Sequence, residues 1–352
     1  MTIKDIAEMA HVSKGTVSRV INGIPGVGQE TRHRILKLIE SLDFHPNAAA
    51  RGLAAKRTHT LGFVIPHTGR YSMTSTFWPV LLISITEQAA LRGINVLLST
   101  ARSEDDVDSA FRSILKGRQI DGAIIGADQI GEKQLAELLV KGLPFVMVGR
   151  SSYISPYSVD VDNESGAYIA VQHMIRAGHR TIAMLAGPNH YYYVQERVRG
   201  FVRAMTENGL DPSHVYFSSY EPREATQGVA TALSDNPSLS ALFVAAGDLV
   251  FETVKTCTEA GRRIPDDLSI VSFDDHPFFE HFVPPVTVVS QPIEKLGEKA
   301  VEMLLTLMDG REPEEKTAIL QPTLVERGSC ATPVGRNLEA VPQNKSIGVG
   351  GT

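Results

Sequence analysis

Residues 2–22, TIKDIAEMAHVSKGTVSRVIN, decide how the remainder of the chain is read. Ile3, Ile6, Ala7 and Ala10 recur at i, i+3, i+4 and i+7, which predicts a short helix with one apolar stripe. Thr2 is its N-cap, and Asp5, three residues later, sets a carboxylate against the positive end of the helix dipole. Ala10, His11 and Val12 form the turn. Ser13 then caps a second helix whose Val17, Val20 and Ile21 face inward, leaving Lys14, Gly15, Thr16, Ser18 and Arg19 outside. Short side chains permit close approach to a major groove, where Arg or Lys reaches base edges. The same spacing also fits a helical hairpin with a solvated face.

Residues 12–22, VSKGTVSRVIN, favour the first reading, because they resemble the recognition helix of the LacI/GalR family of bacterial transcription regulators. The resemblance runs with few gaps to about Arg327. It implies a helix-turn-helix DNA-binding domain over 1–45, a hinge helix and linker over 46–58, and a two-lobed effector-binding and dimerisation domain over 59–327. Gly15 departs from relatives that carry a side chain there, which removes one base contact. Gly28 departs too, standing where a Ser or Thr is usual, and weakens the cap of a third helix over 29–41 by about a few tenths of a kcal/mol. In that helix Ile35, Leu38, Ile39 and Leu42 close a three-helix core, and Arg32, His33 and Arg34 either touch phosphate or form a solvated face.

Residues 44–54, FHPNAAARGLA, follow. Pro46 blocks the third helix and Asn47 can cap a new one, but so short a helix needs a partner to form. The resemblance implies a hinge helix ordered when two copies pack over an operator. It puts Asn47, Arg51 and Leu53 at the DNA, with Leu53 wedged between base steps of the minor groove. As a linker residue, Leu53 would instead rest on the next domain.

Composition fits a head on a larger body. The net charge of −6 conceals nine Lys/Arg and five Asp/Glu in residues 1–58, against 25 and 35 in the remainder. A basic head on an acidic body is expected where only the head meets phosphate. Cys257 and Cys330 suggest no disulfide framework. With no run able to cross a bilayer and no signal-peptide layout at the N-terminus, the expected location is the cytoplasm.

From Thr60 onward, apolar runs alternate with helical patterns: LGFVIP, INVLLS, DGAIIGA, PFVMVG, SVDVD, TIAMLAG, VYFSSY, ALFVAAG, LSIVSFDD and VTVVSQ. Continuous apolar strands between amphipathic helices call for parallel sheets covered on both faces, and there are too many for one sheet. The fold expected is an all-α helix-turn-helix head with an α/β body of two doubly wound parallel-sheet lobes, similar to the type I periplasmic-binding-protein fold. Lobe 1 takes about 59–158 and 288–320, lobe 2 takes 159–287 and 321–327, and 328–352 form a disordered tail without leucine heptads, so a homodimer is expected.

Ligands of such sheets sit outside the carboxyl ends of the strands, in the cleft between lobes. That rule selects Trp78, Arg150, Asp162, Tyr191, Tyr193, Arg197, Asp248 and Asp274. The resemblance aligns Arg197, in its R-x-x-G-F context, with the effector-binding arginine, and Asp274 with a ligand-gripping aspartate. Trp78 either stacks on a ring or starts a helix in the core, and each acid is a ligand group, a helix cap or a lobe-bridging ion pair. The whole points to a repressor of a pseudopalindromic DNA operator governed by a sugar or sugar derivative, with a purine or nucleoside co-repressor as the alternative. A sugar receptor without DNA function is a remoter one. No G-x-G-x-x-G, P-loop, G-x-S-x-G or metal-ligand spacing occurs, so neither an enzyme nor a cofactor is expected.

Overall fold

A computed structural model describes residues 2–21, 23–42, 44, 57–65, 75, 77–100, 112, 114, 119–127, 132–150 and 157–333. The head opens with α1 (Ile3–Met9), where Thr2 and Asp5 exchange the two hydrogen bonds of a capping box. In α2 (Lys14–Ile21) the Ser13 hydroxyl accepts from the Thr16 amide at 3.1 Å, and Val17 and Val20 are buried. Helix α3 (Gln29–Ser41) has Gly28 at its N-cap with no side-chain bond. Ile6, Ala7, Ala10, Val17, Val20, Ile35 and Phe44 make one small core. Arg32 is half-buried, its Nη2 donating to the Ile24 carbonyl at 3.2 Å. Asn47, Arg51 and Leu53 lie outside the described residues.

The chain rejoins at Arg57, whose Nη2 donates to the Met308 carbonyl, while the Thr58 and His59 amides donate to Asp121. The first lobe is β1 (Thr60–Ile65), α4 (Phe77–Ala90), β2 (Asn95–Thr100), β3 (Gly122–Gly126), α5 (Glu132–Lys141), β4 (Phe145–Val148) and β5 (Ser158–Val161). The second holds α6 (Asn163–Arg176), β6 (Ile182–Ala186), α7 (Tyr192–Glu207), β7 (Val215–Phe217), α8 (Pro222–Asp235), β8 (Ala241–Val244), α9 (Val250–Glu259), β9 (Ser269–Phe273) and β10 (Thr287–Ser290). Helix α10 (Ile293–Met308) returns to the first lobe against α4, where the Ser84 hydroxyl donates to the Glu294 carbonyl. Strand β11 (Thr317–Leu320) joins the first sheet and β12 (Thr323–Val325) the second.

The sheets run β2-β1-β3-β4-β5-β11 and β7-β6-β8-β9-β10-β12. Every pairing is parallel except β10 with β12. Strands β1, β3, β4, β6, β8 and β9 are buried nearly throughout, as continuous apolar runs covered on both faces require.

Three boundaries differ from the sequence expectation. The chain crosses over after Val161 rather than at 158, because β5 pairs with β4 and β11. It crosses back after Ser290 rather than at 287, because β10 pairs with β9. Residues 328–333 are packed, not tail: Ser329 is buried, donating to the Ile270 carbonyl at 2.6 Å and accepting from the Thr287 amide. Buried His179 bonds Ser240 and the Ala331 carbonyl, tying this segment to β8. Residues 334–352 lie outside the described residues.

Candidate functional site

Both sheets aim their carboxyl ends at one cleft of about 840 Å³, counting its open mouth. The first lobe lines it with Ser75, Phe77, Trp78, Val148, Gly149, Arg150, Asp160 and Leu296. The second supplies Tyr193, Arg197, Tyr220, Ala246, Asp248, Asp274 and Gln291, and Asn163 stands at the crossover. That size and mixture of rings and convergent polar groups suit a small molecule.

Arg197 is the centre. Its motif explains its placement: Gly200 lets α7 lie against α6, where a Cβ would overlap the Glu164 carbonyl, and Phe201 is fully buried. One turn earlier Arg197 then points into the cleft, stacked 3.6 Å above the centroid of Phe273. Its Nε donates to Asn163 Oδ1 at 2.9 Å, and Nη1 donates to the Ala245 carbonyl at 2.7 Å and lies 3.5 Å from Asp274 Oδ2. Nη2 has no protein partner among the described residues, so two N–H groups remain for a ligand oxygen.

Asp274 sits at φ +74°, a left-handed conformation that costs a non-glycine residue about 1–3 kcal/mol and clusters at binding sites. Its carboxylate is held by Gln291 Nε2 and by the Gly247 amide at 3.4 Å. Asp248, on the 3₁₀ turn Gly247–Leu249 after β8, has no hydrogen bond to the protein among the described residues. Burial first, then the neighbouring Asp274, push its carboxyl up to about 7, against the pull of Arg197.

Arg150 lines the cleft but is committed to acids. Its Nε donates to Asp160 Oδ2 at 2.8 Å in the first lobe, and Nη2 reaches both Glu196 oxygens at 2.6 Å across to the second. Burial opposes its charge, yet the two acids outweigh it and hold the guanidinium above its usual range. Burial likewise raises Asp160 and Glu196 despite their partner. Arg150 thus forms an ion pair that bridges the lobes.

Trp78 is 5% exposed in the core near the start of α4, edge-on to Phe77 with centroids 5.1 Å apart, and it also forms part of the cleft wall. The Tyr193 and Tyr220 hydroxyls hydrogen-bond each other at its rim. Two expected residues are not in the lining. Asp162 caps α6, accepting from the Ser165 amide at 2.9 Å; burial opposes its charge, but the Ser165 and Gln321 bonds hold it below the carboxylate range. Tyr191 is buried and stacks behind Tyr193 at 5.7 Å. Conversely, the sequence rule passes over Asp160, Tyr220 and Gln291, although each lies in a strand or within a few residues of its carboxyl end.

On the head, Lys14, Gly15 and Arg19 are exposed on one side of α2, and Thr16 and Ser18 are half-buried beside them. The Thr16 hydroxyl lies 2.9 Å from that of Ser13, which fixes its rotamer. A Cβ at Gly15 would meet only Ser13 Oγ at 3.6 Å, so packing within the protein does not require glycine there.

A two-lobed binding body carrying a helix-turn-helix head defines a class of ligand-responsive regulators. A family model described as bacterial regulatory proteins, lacI family, matches residues 2–47, and one described as a periplasmic binding protein-like domain matches 171–330. Catabolite control protein A of Priestia megaterium is 31% identical over 334 residues, covering 93% of this chain and 98% of that protein. The structure of a transcriptional regulator CelR–cellobiose complex covers 94% of this chain and 99% of its own at 28% identity, with a TM-score of 0.72. The lac repressor dimer bound to operator and the anti-inducer ONPF covers the same shares at 25% identity and a TM-score of 0.84. The chain belongs to the LacI family of bacterial transcription regulators, and the relatives it matches are regulators, in keeping with the expectation of no enzyme. Among the described residues no helix is long and apolar enough to cross a membrane.

Proposed function

We propose that the protein is a homodimeric repressor that reads a pseudopalindromic operator and is governed by a polyhydroxylated effector, a sugar or sugar derivative, bound between its lobes. Two Nη2 N–H groups of Arg197 with no partner among the described residues, beside Asp274 and flanked by aromatic rings, carry the effector reading. They offer what paired ring hydroxyls need: a fixed donor fork, a carboxylate acceptor and an apolar plane. The operator-bound lac repressor dimer and the cellobiose-bound CelR support the pairing of DNA with sugar in one architecture. On the head, Lys14, Gly15, Thr16, Ser18 and Arg19 face the major groove, and Asn47, Arg51 and Leu53 belong to the hinge.

Fluorescence anisotropy on a labelled operator, with and without a panel of sugars and nucleosides, tests both halves. Arg19→Ala should cost about 1–3 kcal/mol and relax specificity at one base pair per half-site. Equal losses on operator and random duplex would reduce Arg19 to a phosphate contact. Arg197→Ala should abolish the effector response, and a full response in that variant would refute the cleft.

A further inference from the structure

The charges lining the cleft do not balance. Among the described residues, Asp160, Asp248 and Asp274 in the lining face Arg150 and Arg197. Arg150 is taken up by Asp160 and by Glu196 behind it. Arg197 lies nearest Asp274, whose carboxylate also receives Gln291 and the Gly247 amide. Asp248 is left over, a carboxylate facing the cavity with no hydrogen bond or ion pair from the described residues.

A ligand for this cleft therefore has to meet two demands at once. Nη2 of Arg197, without a protein partner among the described residues, asks for oxygen, and Asp248 asks for a cation, in a cleft whose wall also carries the rings of Phe77 and Trp78. We propose that the effector is an amino sugar, a hydroxylated ring bearing an ammonium group, and that Asp248 receives the ammonium. The inference rests on the effector-cleft reading above. A carboxylated ligand would add like charge beside the acids, whereas a neutral sugar leaves Asp248 either protonated or, once ionised, without a countercharge. The groups facing Asp248 are Asp274 and Arg197, and their combined effect with burial is to keep its proton on to about pH 7. An ammonium at contact supplies what the protein does not, so the proton leaves as the ligand enters.

Isothermal titration of the full-length protein at pH 7 tests this with glucosamine, galactosamine and mannosamine, their N-acetyl derivatives and the parent hexoses. At least one amine should bind roughly tenfold or more tightly than its neutral counterparts. Its heat of binding should differ between buffers of unlike ionisation enthalpy in the sense of proton release. Asp248→Asn should erase the amine preference, and Asp248→Glu, which keeps the charge, should retain it. A parent hexose bound as tightly as its amine, with binding indifferent to Asp248→Asn and lost in Arg197→Ala, overturns the inference and leaves the effector cleft standing. Silence from every sugar in the panel overturns both.

Discussion

Asp248→Asn offers a test that needs no ligand. In the unfolded chain this carboxyl loses its proton near an ordinary aspartate value of 3.8, but in the fold it keeps it to about 7. The folded state therefore holds the extra proton between those values, and the stability this contributes is full below pH 4 and is lost as pH rises to 7. A displacement of that size corresponds to roughly 4 kcal/mol, and contact with cleft solvent brings the expected effect to about 2–3 kcal/mol. The asparagine variant has no such proton to lose. Wild type minus variant stability, measured by urea unfolding in steps from pH 4.5 to 8, should fall along that ramp. In melting temperature it amounts to about 5–10 °C. Asp160 and Glu196 are raised by burial in both proteins and cancel in the difference. Parallel curves for the two proteins would show that Asp248 is ionised throughout, and the account of its environment would fail.

Gly200→Ala should destabilise the second lobe by about 1–3 kcal/mol, since the new methyl group meets the Glu164 carbonyl where α7 crosses α6; an unchanged urea midpoint would show that the helices can part without cost. Arg150→Ala leaves the buried Asp160 and Glu196 facing each other, and should cost about 3–5 kcal/mol at pH 8 and less at pH 5, where both acids can take up protons. A loss independent of pH would mean that packing, not charge, holds this contact. Gly15→Ala should stabilise the head by about 0.5–1 kcal/mol, seen as greater protection of α2 amides from hydrogen exchange, because the added methyl has room. Lower protection would show that glycine is needed for the fold itself.

The head was legible because its periodicity and caps are local. Thr2 with Asp5, Ser13 with Thr16, and the bounds of α3 all follow from neighbours a turn apart. The strands of the body showed as continuous apolar runs for the same reason that they are buried. Strands β11 and β12 escaped, being three or four residues long at sheet edges and partly exposed, with apolar runs of only two or three residues to mark them. In the cleft, the resemblance marked Arg197 and Asp274, but it could not say which carboxylates would be spent on caps. Asp160 and Asp162 stand two residues apart, but the strand ends at Val161, so Asp160 stays in the sheet and accepts from Arg150 while Asp162 leaves it to cap α6. What joined Arg150 to Glu196 was the approach of one lobe to the other, which no local pattern records.

That approach bears on how easily the two halves part. Glu196 also receives Arg199 Nη2 at 3.2 Å, from its own helix, while Arg150 keeps Asp160 on its own strand layer. Swinging the halves away from each other would thus strand no ion: each partner retains a mate on its own side, and only the bond across the gap is given up. The bond across the gap is then a small part of what holds the halves together, and a tenant that prefers one arrangement can shift the molecules only by as much as its affinities for the two differ.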